Sequence, residues 1–529
     1  MSDINTTYEN LNRSWKSMCR LLLGEEIGEM KEYEKWLTQY LEPMRAERSA
    51  ISCKDVYVAV QDYCKGAKFI SLEDTQAAKP APLSINEIKD IDSIIDAFHE
   101  RFLYSGNIIL SNSRDVSQST NIQNSFHILR SNFIWDSEYV GFSSMVRGGK
   151  HLLGVNNDAY SSFMLSSMET YKNSRCLELW ESFDCTGSYF TFGSWNCQNI
   201  LFSFNQRNKR NAIGNIELPR DKFLSLKDKL IEEMRDELKR NKSLPSLFEI
   251  ASANPRKPKI PAGFSTEEMQ EGTDKGTIED AFRNTTKIVL GKELQGMDAY
   301  GDWLLRHVIK TKPAASAATG RPTSLSSHAP YKFYPRDRIV KVNESIKLGE
   351  ILHMDESDIN SLDSLKDSLW KIAFFCSEIM LGENKNLIGV MLANQSSNCY
   401  KGSVYSYDEY CGFSFWPRDS KYMFGSSMAF SCNFCMDAYN SVNLSRCFET
   451  ESCSNSSDLY FSHNCENAQD AMFCFNSKNL KHAIGNTLLE PCKYKSTKSA
   501  LLSQVAGELE RTKTLKWDIY NIGCAMVKQ

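Results

Sequence analysis

Glu138-Tyr139-Val140-Gly141-Phe142-Ser143 is written twice in this chain: Glu409-Tyr410-Cys411-Gly412-Phe413-Ser414 stands 271 positions on. The match continues without a gap to Asn215 and Asn486. Ser174-Arg175-Cys176 falls on Ser445-Arg446-Cys447, Tyr189-Phe190 on Tyr460-Phe461, and Ala212-Ile213-Gly214-Asn215 on Ala483-Ile484-Gly485-Asn486. An internal repeat of this length predicts two halves of one fold. Inside it, short apolar cores recur about every 12 residues, divided by Ser, Asn, Asp, Gly and Lys. Tyr139-Val140-Gly141-Phe142, His151-Leu152-Leu153-Gly154-Val155 and Ile200-Leu201-Phe202-Ser203-Phe204 are examples. Each is strand-length, alternates roughly in and out, and is bounded by turn formers. Even spacing with no insertion predicts a stacked β-solenoid, in which one extra residue disturbs every neighbouring coil. A two-strand coil uses about 24 residues and a three-sided one about 36. A β-sandwich or barrel is the alternative. The fold class expected is therefore α+β: a tandem duplication, each half a short β-solenoid with flanking amphipathic helices.

Working outward, residues near 20–42 read as a helix burying Leu22, Leu23, Ile27, Met30, Tyr33, Trp36, Leu37 and Tyr40. Leu290 to Leu304 repeats its Met/Tyr/Trp pattern. Ser84 with Glu87 forms a capping box before a helix carrying Ile88, Ile91, Ile94, Ile95, Phe98 and Phe102. A counterpart opens near Ser357. Phe223, Leu226, Leu230, Met234 and Leu238 predict a helix after the first repeat block, and Tyr494, Leu501, Val505 and Leu509 one after the second. Asn254 to Pro261 is a proline-rich linker that excludes helix. Lys312 to Pro330 reads as a long mobile loop. The expected division is 1–105 helical and mixed, 106–215 first β-repeat block, 216–250 helical cap, and 251–275 linker. The second half follows with 276–376 helical and mixed, 377–486 second β-repeat block, and 487–529 helical cap.

Composition narrows the function classes. With 62 Lys and Arg against 66 Asp and Glu, the net charge of −4 gives no global attraction to nucleic acid or anionic lipid. The first residues lack the basic and apolar blocks of a signal peptide, and no apolar run approaches a membrane span. Seventeen cysteines, an odd number without a secretory signal, read as reduced, buried thiols of a cytoplasmic protein.

Arg207-Asn208-Lys209-Arg210-Asn211-Ala212-Ile213-Gly214-Asn215 and Lys478-Asn479-Leu480-Lys481-His482-Ala483-Ile484-Gly485-Asn486 close the two blocks. They resemble the closing Asn-Lys-x-Tyr-Cys-Ile-x-Asn pattern of Cys- and Asn-rich short-repeat proteins of small-genomed bacteria and archaea. Asn211 or His482 replaces the Tyr, and Ala212 or Ala483 the Cys. The resemblance covers the repeat blocks and implies no activity.

Chemistry-bearing candidates are few. Cys432-x-x-Cys435 has zinc-ligand spacing without a second pair. The spacing of Cys399, Cys411, Cys435 and Cys447 suits a buried ladder of small hydrophobes instead. Asp136, Asp158 and Asp184 correspond to Tyr407, Ala429 and Asn455, so the halves share no acidic cluster. Charges that both halves keep include Arg147, Lys150, Arg175 and Glu178, matched by Arg418, Lys421, Arg446 and Glu449. These read as inter-coil ion pairs or a binding groove, with Arg175 and Glu178 on opposite strand faces. Trp36 and Trp303 mark an assembly surface if their own cores leave them exposed. No phosphate loop, dinucleotide fingerprint or nucleophile elbow occurs. The expectation is a non-catalytic intracellular structural or assembly protein without cofactors, its partner itself or another protein. Ligand or carbohydrate binding is the alternative.

Overall fold

The computed structural model describes residues 4–77, 83–84, 88, 90–98 and 101–524. The fold is α+β, and no helix among the described residues is long and apolar enough to cross a membrane. The chain forms two compact units, each assembled from three separate stretches. Unit one is Met1–Met44, Ile109–Met269 and Pro313–Glu378; unit two is Arg45–Ile108, Gln270–Lys312 and Ile379–Gln529.

In unit one the strands pair parallel, and each residue faces the residue twelve positions on. Leu152 lies against Met164 and Met164 against Cys176, along Lys150–Ala159, Ser162–Tyr171 and Ser174–Phe183. A rung therefore uses twelve residues, half the smallest coil expected from the sequence. The backbone turns a corner at every third residue. From Asp115 to Asn211 each third residue has φ between +45° and +69°. The residue after a corner points into the rung and the next points out, so the in-and-out pattern has a period of three. Left-handed backbone costs an L-residue about 1–2 kcal/mol, and Asn, Asp and Gly, which tolerate it best, fill many corners. Arg175 and Glu178, both at positive φ, are successive corners of one rung. They are not opposite faces of one strand, because no strand runs straight between them.

The inward positions form stacked columns. Val116, Ile128, Val140, Leu152, Met164, Cys176, Ile200 and Ala212 make one apolar column, all buried. Serines make another. Ser131 Oγ donates to Leu129 O (2.9 Å) and accepts Ser143 N–H (3.1 Å); Ser143 Oγ donates to Gly141 O (2.8 Å) and accepts Val155 N–H (3.0 Å). The hydroxyl joins two backbone groups that a corner has pulled out of ladder reach.

Two outer sides of unit one are covered. The helix Ile4–Leu23 crosses the strands from Arg114–Ser117 to Ser174–Phe183 with Leu11, Trp15, Met18 and Leu22 buried. Gly24, at φ +85°, follows this helix. The helix expected near 20–42 is instead a short 3₁₀ turn, Met30–Tyr33, followed by Glu34–Leu37. On the second side Trp180, Phe192 and Phe204 meet Tyr40, Phe248 and Phe375, with ring centroids 4.4–5.4 Å apart. Phe375 comes from the late stretch Pro313–Glu378. The helix Arg220–Asn241 buries Phe223, Leu230, Met234 and Leu238, as their spacing predicts. No helix crosses Asn254–Pro261, which Arg338 holds by donating to Ala251 O, Asn254 O and Arg256 O. The 312–330 stretch is not an open loop, because Thr311–Ala315 and Pro322–Ser326 pair as a ribbon.

Unit two follows the same physical plan. Cys399 faces Cys411 and Met423 faces Cys435 in parallel register. Corners recur at every third residue from Asn386 to His482, save at Leu392 and Val404, and the register shifts beside Val404. The helix Lys275–Leu290 crosses Ser397–Ser406 to Asn433–Tyr439, and Pro491–Thr512 buries Tyr494, Leu501, Val505 and Leu509. The early stretch Arg45–Ile108 supplies Tyr63, Phe102 and Tyr104, which pack on His463 and Phe475. Ile91–Phe98 is helical, with Ser93 N–H donating to Asp90 Oδ1 (2.7 Å); the Ser84/Glu87 box falls at Glu87 outside the described residues. Against the all-thiol expectation, Cys64 and Cys524 form a disulfide. The fifteen other cysteines are free and thirteen of them buried.

Candidate functional site

The titratable groups that the fold gathers lie where the connecting stretches meet the rungs. In unit one Glu178, a buried corner, receives four donors. Tyr40 Oη (2.7 Å), Leu247 N (2.9 Å) and Trp180 Nε1 (3.1 Å) donate to Oε1, and Ser166 Oγ (3.1 Å) to Oε2. Burial pushes its carboxyl up to about 7 in spite of these donors. Two further acids hold the late stretch. Tyr334 Oη donates to Glu181 (2.5 Å), and His328 Nδ1 lies 3.2 Å from Glu169. Burial, then the Glu169 charge, raises the Glu181 carboxyl well above its ordinary range.

Unit two builds two such clusters. Glu449 Oε2 accepts Ile519 N–H (2.9 Å). Near it Asp518 takes Arg306 Nη1 (3.1 Å) and His307 Nε2 (3.2 Å), while His307 Nδ1 reaches Asp62 (3.1 Å). Burial works against the His307 imidazolium, but the Asp518 and Asp62 hydrogen bonds outweigh it and raise its pKa to about 9. One rung earlier, burial lifts the Asp437 carboxyl well above its ordinary value. Tyr439 donates to its Oδ1 (3.3 Å), and its Oδ2 has no donor among the described residues, which suits a proton held there. In the second cluster Ser105 N–H donates to His463 Nε2 (2.8 Å), so Nδ1 carries the hydrogen shared with Glu451 (2.6 Å). Tyr63 Oη donates to the same carboxylate (3.1 Å).

The eight shared charges do not converge on one site. Lys150 pairs with Glu138 (3.5 Å) and Lys421 with Glu409 (2.9 Å), each across one twelve-residue step on open surface, where such pairs contribute about 0–1 kcal/mol. Arg446 grips Asp458 (2.6 Å), Arg418 is buried beside Asp419 (3.6 Å), Arg147 is half-buried and Arg175 exposed. Glu178 and Glu449 alone sit in the buried clusters. Cys432 and Cys435 are both inward and fully buried. Cys432 Sγ stands at the serine position, donating to Phe430 O (3.2 Å) and accepting Leu444 N–H (3.4 Å). No group of three or more His, Cys, Asp or Glu among the described residues is placed to hold a metal. Trp36 and Trp303 are each 3% exposed, so their own units use the faces proposed for assembly.

His307, Asp437, Glu451, Asp518 and the backbone N–H groups of Leu247 and Ile519 went unread in the sequence, and Tyr40 was read there only as a buried helix residue. Apart from Asp437 with Tyr439 and Glu451 with His463, their partners lie 69 to 388 residues away, and no local spacing encodes that. Glu178 and Glu449 each accept a backbone N–H at a corner, and Glu181 and Glu451 accept the Tyr334 and Tyr63 hydroxyls of the connecting stretches. No family model, curated protein or solved structure matches this chain.

Proposed function

We propose that each unit is a short β-solenoid of twelve-residue coils, that the halves arose by duplication, and that the protein is a non-catalytic structural or assembly component of the cytoplasm. Its repeated surfaces would serve copies of itself or another macromolecule. The observation that carries the reading is that the gathered acids and histidines are buried and committed to holding chain segments. Glu178, Glu181, Glu449, Glu451 and His463 are each at most 2% exposed, which supports a role in holding the fold. Duplication draws support from contacts that recur 271 positions apart. Asn205 Nδ2 donates to Phe374 O and Asn476 Nδ2 to Leu103 O. Met354 N–H donates to Gly214 O, and Leu83 N–H to Gly485 O.

Ligand binding has one feature in its favour, an open cleft of about 660 Å³ lined by Ser265, Thr266, Glu267, Asn343, Ile346, Lys347 and Glu350. It lies open to solvent and lacks the enclosure of a small-molecule pocket. Sedimentation across a wide concentration range tests the assembly reading. Species above the 60.3 kDa chain are expected, and a monomer throughout would remove it.

A further inference from the structure

Each unit is completed by a connecting stretch from the other half of the sequence. Unit one is built on the rungs that follow Ile109 and is finished by Pro313–Glu378; unit two is built on those that follow Ile379 and is finished by Arg45–Ile108. The two acceptor sites have the same construction. In unit one Ile339–Val340 pairs parallel with Phe375–Cys376, and in unit two Phe69–Ile70 pairs parallel with Tyr104–Ser105. Asn205 and Asn476 each hold a backbone carbonyl of the incoming stretch, at 2.9 and 2.8 Å. An aromatic plug follows, Phe375 against Phe192 and Phe204, or Tyr104 against Phe475. The stretch and its acceptor rungs are thus separate pieces of sequence that meet only in the folded protein.

We propose that the partner in assembly is a second copy of this chain, joined by reciprocal exchange. Pro313–Glu378 of one molecule completes unit one of another, whose Arg45–Ile108 in turn completes unit two of the first. The inference rests on the assembly reading above and supplies its means. Exchange needs no new interface, since every contact is one the single chain already makes; the two states differ mainly in connectivity and concentration. The covalent chain holds its own stretch at a high effective concentration, so closed monomers dominate when dilute and exchanged pairs when concentrated. Chains folding close together enter the exchanged state directly.

Two ion pairs report the exchange in the full-length protein. Lys222 Nζ lies 2.8 Å from Glu356, and Lys366 bonds Glu237; each joins first-half rungs or helix to the late stretch inside unit one. A carbodiimide activates the carboxylate, the lysine amine displaces it, and an amide forms as the carbodiimide leaves as a urea. Chains labelled with ¹⁴N and ¹⁵N are mixed in equal amounts, unfolded, refolded at high concentration, and separated by size before cross-linking. In the dimer fraction about half of the Lys222–Glu356 cross-linked peptide should carry one label from each chain. Dimers whose cross-links are all single-label would overturn exchange and leave the assembly reading standing. Absence of any dimer, with single-label cross-links in the monomer, would overturn both.

Discussion

At the scale of a residue, the structure turns on what can stand just after a corner. Serine is suited because one hydroxyl both donates and accepts, as Ser143 does between Gly141 and Val155. Cysteine at the same position does this weakly, and Cys432 shows the substitution in place. Cys432→Ser is therefore expected to be neutral or slightly stabilising. Cys432→Ala should lower stability by about 1–3 kcal/mol through the orphaned Leu444 N–H and the small void. Urea denaturation of the two variants checks the order, and an alanine variant as stable as the serine one would contradict the bridge. Gly154 is the second case. Its φ is +69°, and a Cβ there would stand 2.8 Å from Leu37 O; Gly425 meets Leu304 O in the same way at 3.1 Å. Gly154→Ala should lose about 1–3 kcal/mol from strain and displacement of the 34–37 turn. Gly263→Ala, at positive φ but with nothing within 4 Å, should lose less in the same thermal melts.

At the scale of an element, the rung is the cooperative unit. One residue inserted between Phe202 and Ser203 would move every later inward side chain of that rung outward, since the period is three and Phe202 is itself a corner at φ +47°. Stacking of Ser203 under Thr191, fixed in register, would be lost with it. Insertion of the same residue into the Ala317–Gly320 turn of the ribbon lengthens a loop that tolerates it, because closure entropy grows slowly. The first insertion is expected to abolish cooperative unfolding by circular dichroism and the second to leave it intact. Equal melting curves would refute a stacked-rung account. The helices answer to different physics. Ile4–Leu23 and Lys275–Leu290 are amphipathic helices that bury one face, although neither was expected from the sequence.

At the scale of the whole molecule, buried acids set the response to pH. Glu178 holds its proton up to about pH 7 and Asp158 up to about 6, both above the ordinary carboxylate range. An acid whose folded pKa is raised gives stability that is lost as pH rises, so Glu178 alone removes on the order of 3 kcal/mol between roughly pH 4.5 and 7. His307, raised to about 9, acts in the same direction: its contribution is full below the ordinary histidine value and is lost through pH 9. Asp74 and Asp298, held down to about 2, contribute above the ordinary aspartate value and fail only below it. The melting temperature should therefore peak near roughly pH 5 and fall toward pH 9. Glu178→Gln should flatten the slope between pH 5 and 7. A melting temperature that climbs from pH 5 to 8 would contradict this assignment of protons.

Periodicity carried much of the local structure into view. The helix over Arg220–Asn241, its counterpart at Pro491–Thr512, the broken linker and the regular spacing of cores were legible because each depends on neighbours a few residues apart. The three-residue turn was misread as strand alternation, since Asn, Ser and Gly mark corners and loops alike. The helix near 20–42 was misplaced because Met30, Tyr33, Trp36 and Leu37 are buried at helical spacing in a 3₁₀ turn and one short α turn. What the sequence by itself determined is the twelve-residue spacing of the cores and the amphipathic helices that follow them, all of it local. Which stretch completes which unit, and which donors meet Glu178, Glu449 and Glu451, was decided only in tertiary structure. Those contacts join residues up to 388 positions apart, and a carboxylate's partner there is fixed by the packing that removes water around it, not by spacing along the chain.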